Sequence, residues 1–295
     1  MKSERTNIKN SRKVLFILSI LLVLLVLFLF IRINKGPVNN NSNYYLVTML
    51  GGSNEEKNGA LNSMGYIIQT ANNKLIVVDG GRDIDANLLL DKIKSLGNGK
   101  VDYWFLTHAH NDHIGALVEL LENNNEIIID NLCFNFNSKE WYQKYDSERS
   151  EIALRFLDYI DKQENDSIIK NILRCNANDL IEIDNLYCKI LRVANSDVIY
   201  TKYVGNEASM VFKFMMKNGQ NIISDKDILF LGDSYLETGN ELLKNCYNDL
   251  KSYAVQMAHH GQNGVGKEVY DVIDPTICFF NAPKWLYEND NGGRI

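Results

Sequence analysis

A layered α/β domain is what the sequence predicts, and three observations predict it. Between Tyr44 and Leu121, short runs of strand formers enclose one long helical period. Residues able to ligate a metal stand directly after apolar strands. From Leu186 onward the chain repeats that theme, with apolar strands running into a carboxylate and then into a histidine pair.

The 295 residues carry 45% hydrophobic and 23% charged side chains, enough for a sizeable core and unlike a disordered chain. A net charge of −6 gives no broad basic surface, so nucleic acid is not the favoured partner. Val14 to Ile31 is an apolar run broken only by Ser19. As a helix it would rise ~27 Å, close to the bilayer's hydrocarbon thickness. No Ala-x-Ala site follows it, which favours an uncleaved anchor over a signal peptide. Lys2, Arg5, Lys9, Arg12 and Lys13 precede the run and only Arg32 and Lys35 follow closely. The positive-inside bias then puts 1–13 in the cytoplasm, 14–31 across the cell membrane as a single pass, and the remainder outside. Residues 32–43 read as a polar linker, and 44–295 as one catalytic domain.

Within that domain, Tyr44 to Leu50, Gly65 to Thr70 and Lys74 to Val78 read as strands of an opening meander, with Asn72-Asn73 as a tight turn. Ala86, Leu88, Leu89, Leu90, Ile93 and Leu96 recur at helical spacing up to Gly97. Val101 to Leu106 is a buried strand and Gly115 to Leu121 a helix. Farther on, 154–160 and 168–173 read as helices and 180–183 as the start of a strand. Strands follow at 187–193, 209–215, 227–231 and 253–258. The five cysteines, Cys133, Cys175, Cys188, Cys246 and Cys278, are widely spaced without a Cys-x-x-Cys pair and read as core thiols.

The chemistry concentrates in Thr107-His108-Ala109-His110-Asn111-Asp112-His113-Ile114-Gly115, which places three of the chain's five histidines and a carboxylate in six positions. Imidazole and carboxylate suit zinc and its neighbours. Alternate residues of an extended turn point the same way, so His108 and His110 can share one ion. Asp112 and His113 fall on the far side, where a second ion ~3.5 to 4 Å away is expected. Gly232-Asp233-Ser234 closes an apolar strand and offers Asp233 as the bridging ligand; the competing reading makes this segment a helix N-cap. His259-His260-Gly261 closes another strand and supplies one ligand and one supporting or proton-donating imidazole, without distinguishing which is which.

These motifs, with Val78-Asp79-Gly80-Gly81 upstream and in this order, make residues 44 to 285 resemble the metallo-β-lactamase superfamily. The chain looks closest to the branch containing the carboxy-terminal domain of the ComEC competence proteins, on the strength of Asn206-Glu207-Ala208-Ser209, Gly232-Asp233 and His259-His260-Gly261. The resemblance implies a four-layer αββα sandwich with its site along one edge. It also implies two divalent ions, Zn2+ first with Mn2+ or Fe2+ as alternatives. His108 and His110 would ligate one ion, Asp112 and His113 the other, Asp233 both, and His259 or its neighbour His260 would complete the second. Asp79 would support the site from behind. Two departures stand out: no histidine lies between His113 and His259, leaving Asn206 where a further ligand is expected, and none follows His260.

The expected activity is metal-dependent hydrolysis by a metal-activated hydroxide, with Asp112, His259 and His260 as catalytic residues. A bridging carboxylate is commoner in the phosphodiesterase-like branches, which favours a small-molecule or cell-envelope phosphoester. Hydrolysis of β-lactams or other amides and esters is the rival enzyme reading. A membrane-tethered binding or sensing module with a degraded site is the rival from another class.

Overall fold

Strands whose two faces are both apolar must be covered on both sides, and that requirement organises this molecule. The computed structural model describes residues 44–51, 61–123, 126–162 and 168–287. The chain divides into units 1–42 and 43–295, and the described residues all belong to the second. The anticipated segments 1–13, 14–31 and 32–43 thus lie outside the described residues, apart from the domain that begins at Tyr44. No helix among the described residues is long and apolar enough to cross a membrane.

The first sheet is built from β1 (Leu46–Met49), β2 (Gly65–Gln69), β3 (Leu75–Asp79), β4 (Lys100–Val101), β5 (Tyr103–Phe105), β6 (Ile128–Phe134) and β7 (Ile169–Arg174). β1, β2 and β3 form the antiparallel meander; β3 then pairs in parallel with β5, and β6 in parallel with β4, β5 and β7. Asn73 makes the β2–β3 turn at φ +62°, a conformation asparagine tolerates. The second sheet runs β13 (Ile277–Phe279), β12 (Ala254–Gln256), β11 (Asn221–Phe230), β10 (Val211–Asn218), β9 (Leu186–Arg192), β8 (Leu180–Ile183). Its β11–β12–β13 portion is parallel.

Alternation along the strands assigns the layers. Tyr66, Ile68, Ile76, Val78 and Phe105 meet Phe212, Phe214, Ile228 and Phe230 in a core between the sheets. Tyr66 packs edge-on against Phe230 with ring centres 5.1 Å apart, and Phe105 lies 5.3 Å from Phe212. The intervening residues Ile67, Leu75, Val77 and Trp104 face the opposite way, into a core with α1 (Ala86–Gly97), α2 (Asn111–Asn123), α3 (Lys139–Tyr145) and α4 (Ser150–Asp161). On the far side of the second sheet, Val211, Leu229 and Val255 pack with residues of α6 (Leu236–Asn245), α7 (Tyr247–Leu250) and α8 (Lys267–Ile273). Two short helices, α5 (Val204–Glu207) and α9 (Lys284–Tyr287), complete the set. Three cores separating four layers make this an αββα sandwich.

Several expectations need correction. Residues 168–173 are not helical: Ile169, Asn171, Ile172 and Leu173 pair in register with Ile129, Asn131, Leu132 and Cys133, so sheet pairing overrides a run that reads either way locally. The strand expected over 101–106 is split at Asp102, whose carboxylate accepts from Leu75 N and Lys74 Nζ at 2.9 and 2.8 Å. Cys133, Cys175 and Cys188 are core thiols, but Cys278 is exposed on the edge strand β13 and Cys246 is half-buried.

Candidate metal centre

Four strands deliver the site. β3 ends at Asp79, β5 leads into Thr107-His108, β11 into Asp233 and β12 into His259-His260, so parallel strands of both sheets present their carboxyl ends at one edge of the sandwich. Gln256, wholly buried, staples the second pair of ends: its Oε1 accepts from Leu231 N and Gly232 N at 2.9 and 2.8 Å. Gly232 turns at φ +58°, where a Cβ would stand 2.8 Å from Ser209 Oγ and 2.9 Å from Thr107 Cβ. The next residue, Asp233, donates its N–H to Ser209 Oγ rather than capping α6, so the N-cap reading of this segment fails.

The anticipated residues converge. His108 Nε2 and His110 Nδ1 are 3.1 Å apart, in hydrogen-bonding contact with each other. His113 Nε2 is 3.1 Å from Asp233 Oδ1, and Asp233 Oδ2 is 3.8 Å from both His108 Nε2 and His260 Nε2. His260 Nε2 is 3.4 Å from Asp112 Oδ2. Two overlapping groups able to hold an ion result: His108, His113 and Asp233, and Asp112, His113 and His260. His113 belongs to both. His259 stands at the margin, its Nε2 3.9 Å from Asp233 Oδ2. Both residues of that pair adopt left-handed backbone, φ +49° and +57°, a strained geometry that turns their rings in different directions. Asn206 is 1% exposed, and neither its amide nitrogen nor its oxygen has a hydrogen bond among the described residues.

The outer nitrogens show what the inner ones are for. Carboxylate and carbonyl oxygens only accept, so His113 Nδ1 donates to Asp79 Oδ2 at 2.8 Å, His260 Nδ1 to the Asn281 carbonyl at 2.9 Å, and His110 Nε2 to Asp146 Oδ2 at 2.9 Å. Asp79 also accepts from Thr107 N and Oγ1, both at 2.8 Å, and so holds the turn from behind. With the outer nitrogens protonated, the neutral rings aim lone pairs at carboxylate oxygens. His113 Nε2, His260 Nε2 and Asp233 Oδ1 are buried and make no hydrogen bond among the described residues. Buried lone pairs and anions face to face require positive charge between them, and divalent ions fit this donor set.

Protons are the alternative source of that charge. Burial works against the charged imidazoles of His113 and His260, but Asp233, with Asp79 behind one and Asp112 beside the other, holds both above the usual histidine range. Burial likewise opposes ionisation of Asp112 and Asp233, yet His260 and His113 keep them below the carboxylate range. His108, buried and flanked by His113 and His110, is pushed well down. The raised pair stabilises the metal-free fold fully below the ordinary histidine pKa of ~6.5, and that stabilisation is lost as pH rises through the raised values. Chelator-treated protein should therefore lose melting temperature as the pH rises above the ordinary histidine range, while metal-loaded protein should not. Parallel melting curves at each pH check this.

Over the centre opens a cleft of about 580 Å³ whose walls include Arg82, Asp112, Arg149, Asp233 and His259. Three contributors to this geometry carried no assigned role in the sequence: Thr107, which backs His108 at 3.2 Å; Tyr235, whose hydroxyl lies 2.8 Å from His259 Nδ1; and Glu207, whose carboxylate accepts the backbone N–H groups at the start of α6. Position after a strand could have flagged Thr107; no local signal marks the other two.

Residues 58–165 match the metallo-beta-lactamase superfamily model. The superfamily match takes in Asp79 and the whole histidine turn and supports this fold and metal binding for the chain. No curated protein matches the sequence. Among solved structures, a B3 metallo-beta-lactamase with an active-site glutamic acid is 14% identical (TM-score 0.46; 73% of this chain, 82% of that one). The metallo-beta-lactamase fold protein YhfI from Bacillus subtilis is 12% identical (TM-score 0.46; 83% and 91%), and a diphosphatase from the PhnP family 13% identical (TM-score 0.45; 85% and 94%).

Proposed function

We propose that the chain is a dinuclear metal-dependent hydrolase acting on a phosphoester. The observation that carries this is the convergence of His108, His113, His260, Asp112 and Asp233, where His113 Nε2, His260 Nε2 and Asp233 Oδ1 are left without hydrogen-bonding partners among the described residues while the outer nitrogens of His113 and His260 are held. His108 and His110 would hold one ion and Asp112, His113 and His260 the other, with Asp233 facing both sets. His260, rather than His259, is the ligand of the pair, because its Nε2 faces Asp112. Ions bound there supply an acidified water as nucleophile and Lewis-acid stabilisation of developing charge.

The chain's own residues do the rest. His259 donates Nδ1–H to the Gln262 carbonyl at 2.6 Å, which leaves the Nε2 lone pair toward Asp233 and the cleft, where it can take up a proton from the attacking water and return it to a leaving group. Arg149 reaches the cleft with a guanidinium that makes no hydrogen bond or ion pair among the described residues, suited to a phosphoryl oxygen. That cation suits an anionic substrate, and the phosphoester reading rests on the bridging position of Asp233. A binding module with a decayed site is disfavoured by the two groups of ligand atoms that face one another at His113. Kinship with the ComEC-like branch is supported by the Asn206 to Ser209 segment, and a membrane anchor with an extracytoplasmic domain by the apolar run 14–31 and its flanking charges.

The test is hydrolysis of bis(p-nitrophenyl) phosphate and of nitrocefin by the purified protein, before and after chelation and metal return. Metal-dependent cleavage of the phosphodiester is expected, and Arg149→Ala should raise KM about tenfold with kcat little changed. Rapid nitrocefin cleavage without phosphodiester hydrolysis would reverse the substrate assignment.

A further inference from the structure

His108, His113 and His260 are each backed by a residue at or beside a strand end: Thr107, Asp79 and the Asn281 carbonyl. His110 is backed from elsewhere, by Asp146 at the carboxyl end of α3. We propose that Asp146 is a positioning residue that sets the tautomer and orientation of the His110 ring for metal binding, and that Gly205 supplies the space in which the two meet. This rests on the metal-dependent reading above.

The argument begins with the carboxylate. Asp146 satisfies the local turn with its backbone, its N–H donating to Tyr142 O at 3.0 Å and its carbonyl accepting from Arg149 N at 3.0 Å. The side chain is left over, and its hydrogen-bonding partner is His110 Nε2 at 2.9 Å. A carboxylate cannot donate, so the ring proton sits on Nε2 and the lone pair of the neutral ring on Nδ1. The two nitrogens of an imidazole point to opposite sides, so an anchor at Nε2 also fixes where Nδ1 aims. It aims at His108 Nε2, 3.1 Å away, and so keeps His110 beside the site.

Gly205 gives independent support. It lies in the short helix α5 and has no positive φ, so backbone conformation does not call for glycine there, and alanine would be the better helix former. Space does call for it. A Cβ at this position would stand 2.1 Å from Asp146 Oδ2 and 2.4 Å from His110 Nε2, at the contact itself. α3 and α5 thus approach around this hydrogen bond, and a methyl group would part it.

The experiment uses the full chain, titrated with Zn2+ against a chromogenic chelator, with the His110 tautomer read from imidazole 15N resonances of the metal-free protein. Asp146→Ala should weaken one of the two ions about 10- to 100-fold, with the other changed far less, and should shift His110 from a pure Nε2–H tautomer to a mixture. Asp146→Asn, which keeps an acceptor oxygen, should recover most of the affinity. Gly205→Ala should reproduce the loss with the carboxylate still in place, and it decides the matter if Asp146→Ala does not fold. Affinity and tautomer unchanged in the folded Asp146→Ala or Gly205→Ala protein would overturn the proposal, as would an Asn variant as impaired as the Ala one. Failure of the unsubstituted protein to bind any ion would instead sink the metal-dependent reading, and this inference with it.

Discussion

Asp233→Ala is expected to reduce turnover by about a thousandfold or more and to lower the amount of metal bound per chain. Among the described residues no other carboxylate faces all four imidazoles: the two oxygens of Asp233 lie between 3.1 and 3.9 Å from nitrogens of His113, His108, His260 and His259. The fold should survive, because the backbone here is held by Gln256 rather than by the Asp233 side chain. A second signature separates loss of a ligand from loss of structure. Without metal, Asp233 is the leading charge that keeps His113 and His260 in their raised range, so its removal should lower both and flatten the pH dependence of the metal-free melting temperature. Metal analysis, kinetics and melting curves on one preparation suffice. Retained activity with two bound ions would end the bridging assignment.

How far the sequence reaches into this molecule depends on whether a feature is written locally. The strands flanking the site were legible because period-two alternation between two cores leaves Ile67 and Val77 on one side and Tyr66, Ile68, Ile76 and Val78 on the other, each position apolar. β7 was not legible: Ile168 to Leu173 carries apolar residues at spacings that suit either helix or strand, and its pairing with β6, some forty residues earlier, decided the outcome. The histidine turn announced itself by composition. The assignment within His259-His260 did not, because consecutive left-handed residues abolish the alternation from which side-chain direction is read. His113 shows a related limit. It stands in the first turn of α2 rather than in extended chain, so it faces both groups instead of one.

Residues that act by holding others were the least legible, and Glu207 gives the second large expected effect, this time on stability. It is 2% exposed, and its carboxylate accepts from Tyr235 N at 3.3 Å, Glu237 N at 3.0 Å and Thr238 N at 2.8 Å, the otherwise unsatisfied donors at the start of α6. It is a helix cap supplied from a distant segment, a carboxylate set at the positive end of the helix. Arg192, itself buried, braces that segment by donating to the Glu207 and Ser209 carbonyls and pairing with Glu241 of α6 at 2.8 Å. Glu207→Ala leaves three backbone donors without their acceptor and should cost about 2–4 kcal/mol, against the ~1 kcal/mol typical of losing an ordinary cap. Glu207→Gln keeps one acceptor oxygen but turns an amide N–H₂ toward the helix donors, and should fall between. Urea unfolding of the metal-free proteins measures both. Tyr235 adds a consequence for function: displaced from its cap, its hydroxyl should leave His259 Nδ1, so kcat should fall in Glu207→Ala even where the protein is fully folded. A Glu207→Ala midpoint equal to that of the unsubstituted protein would show that α6 finds its cap elsewhere.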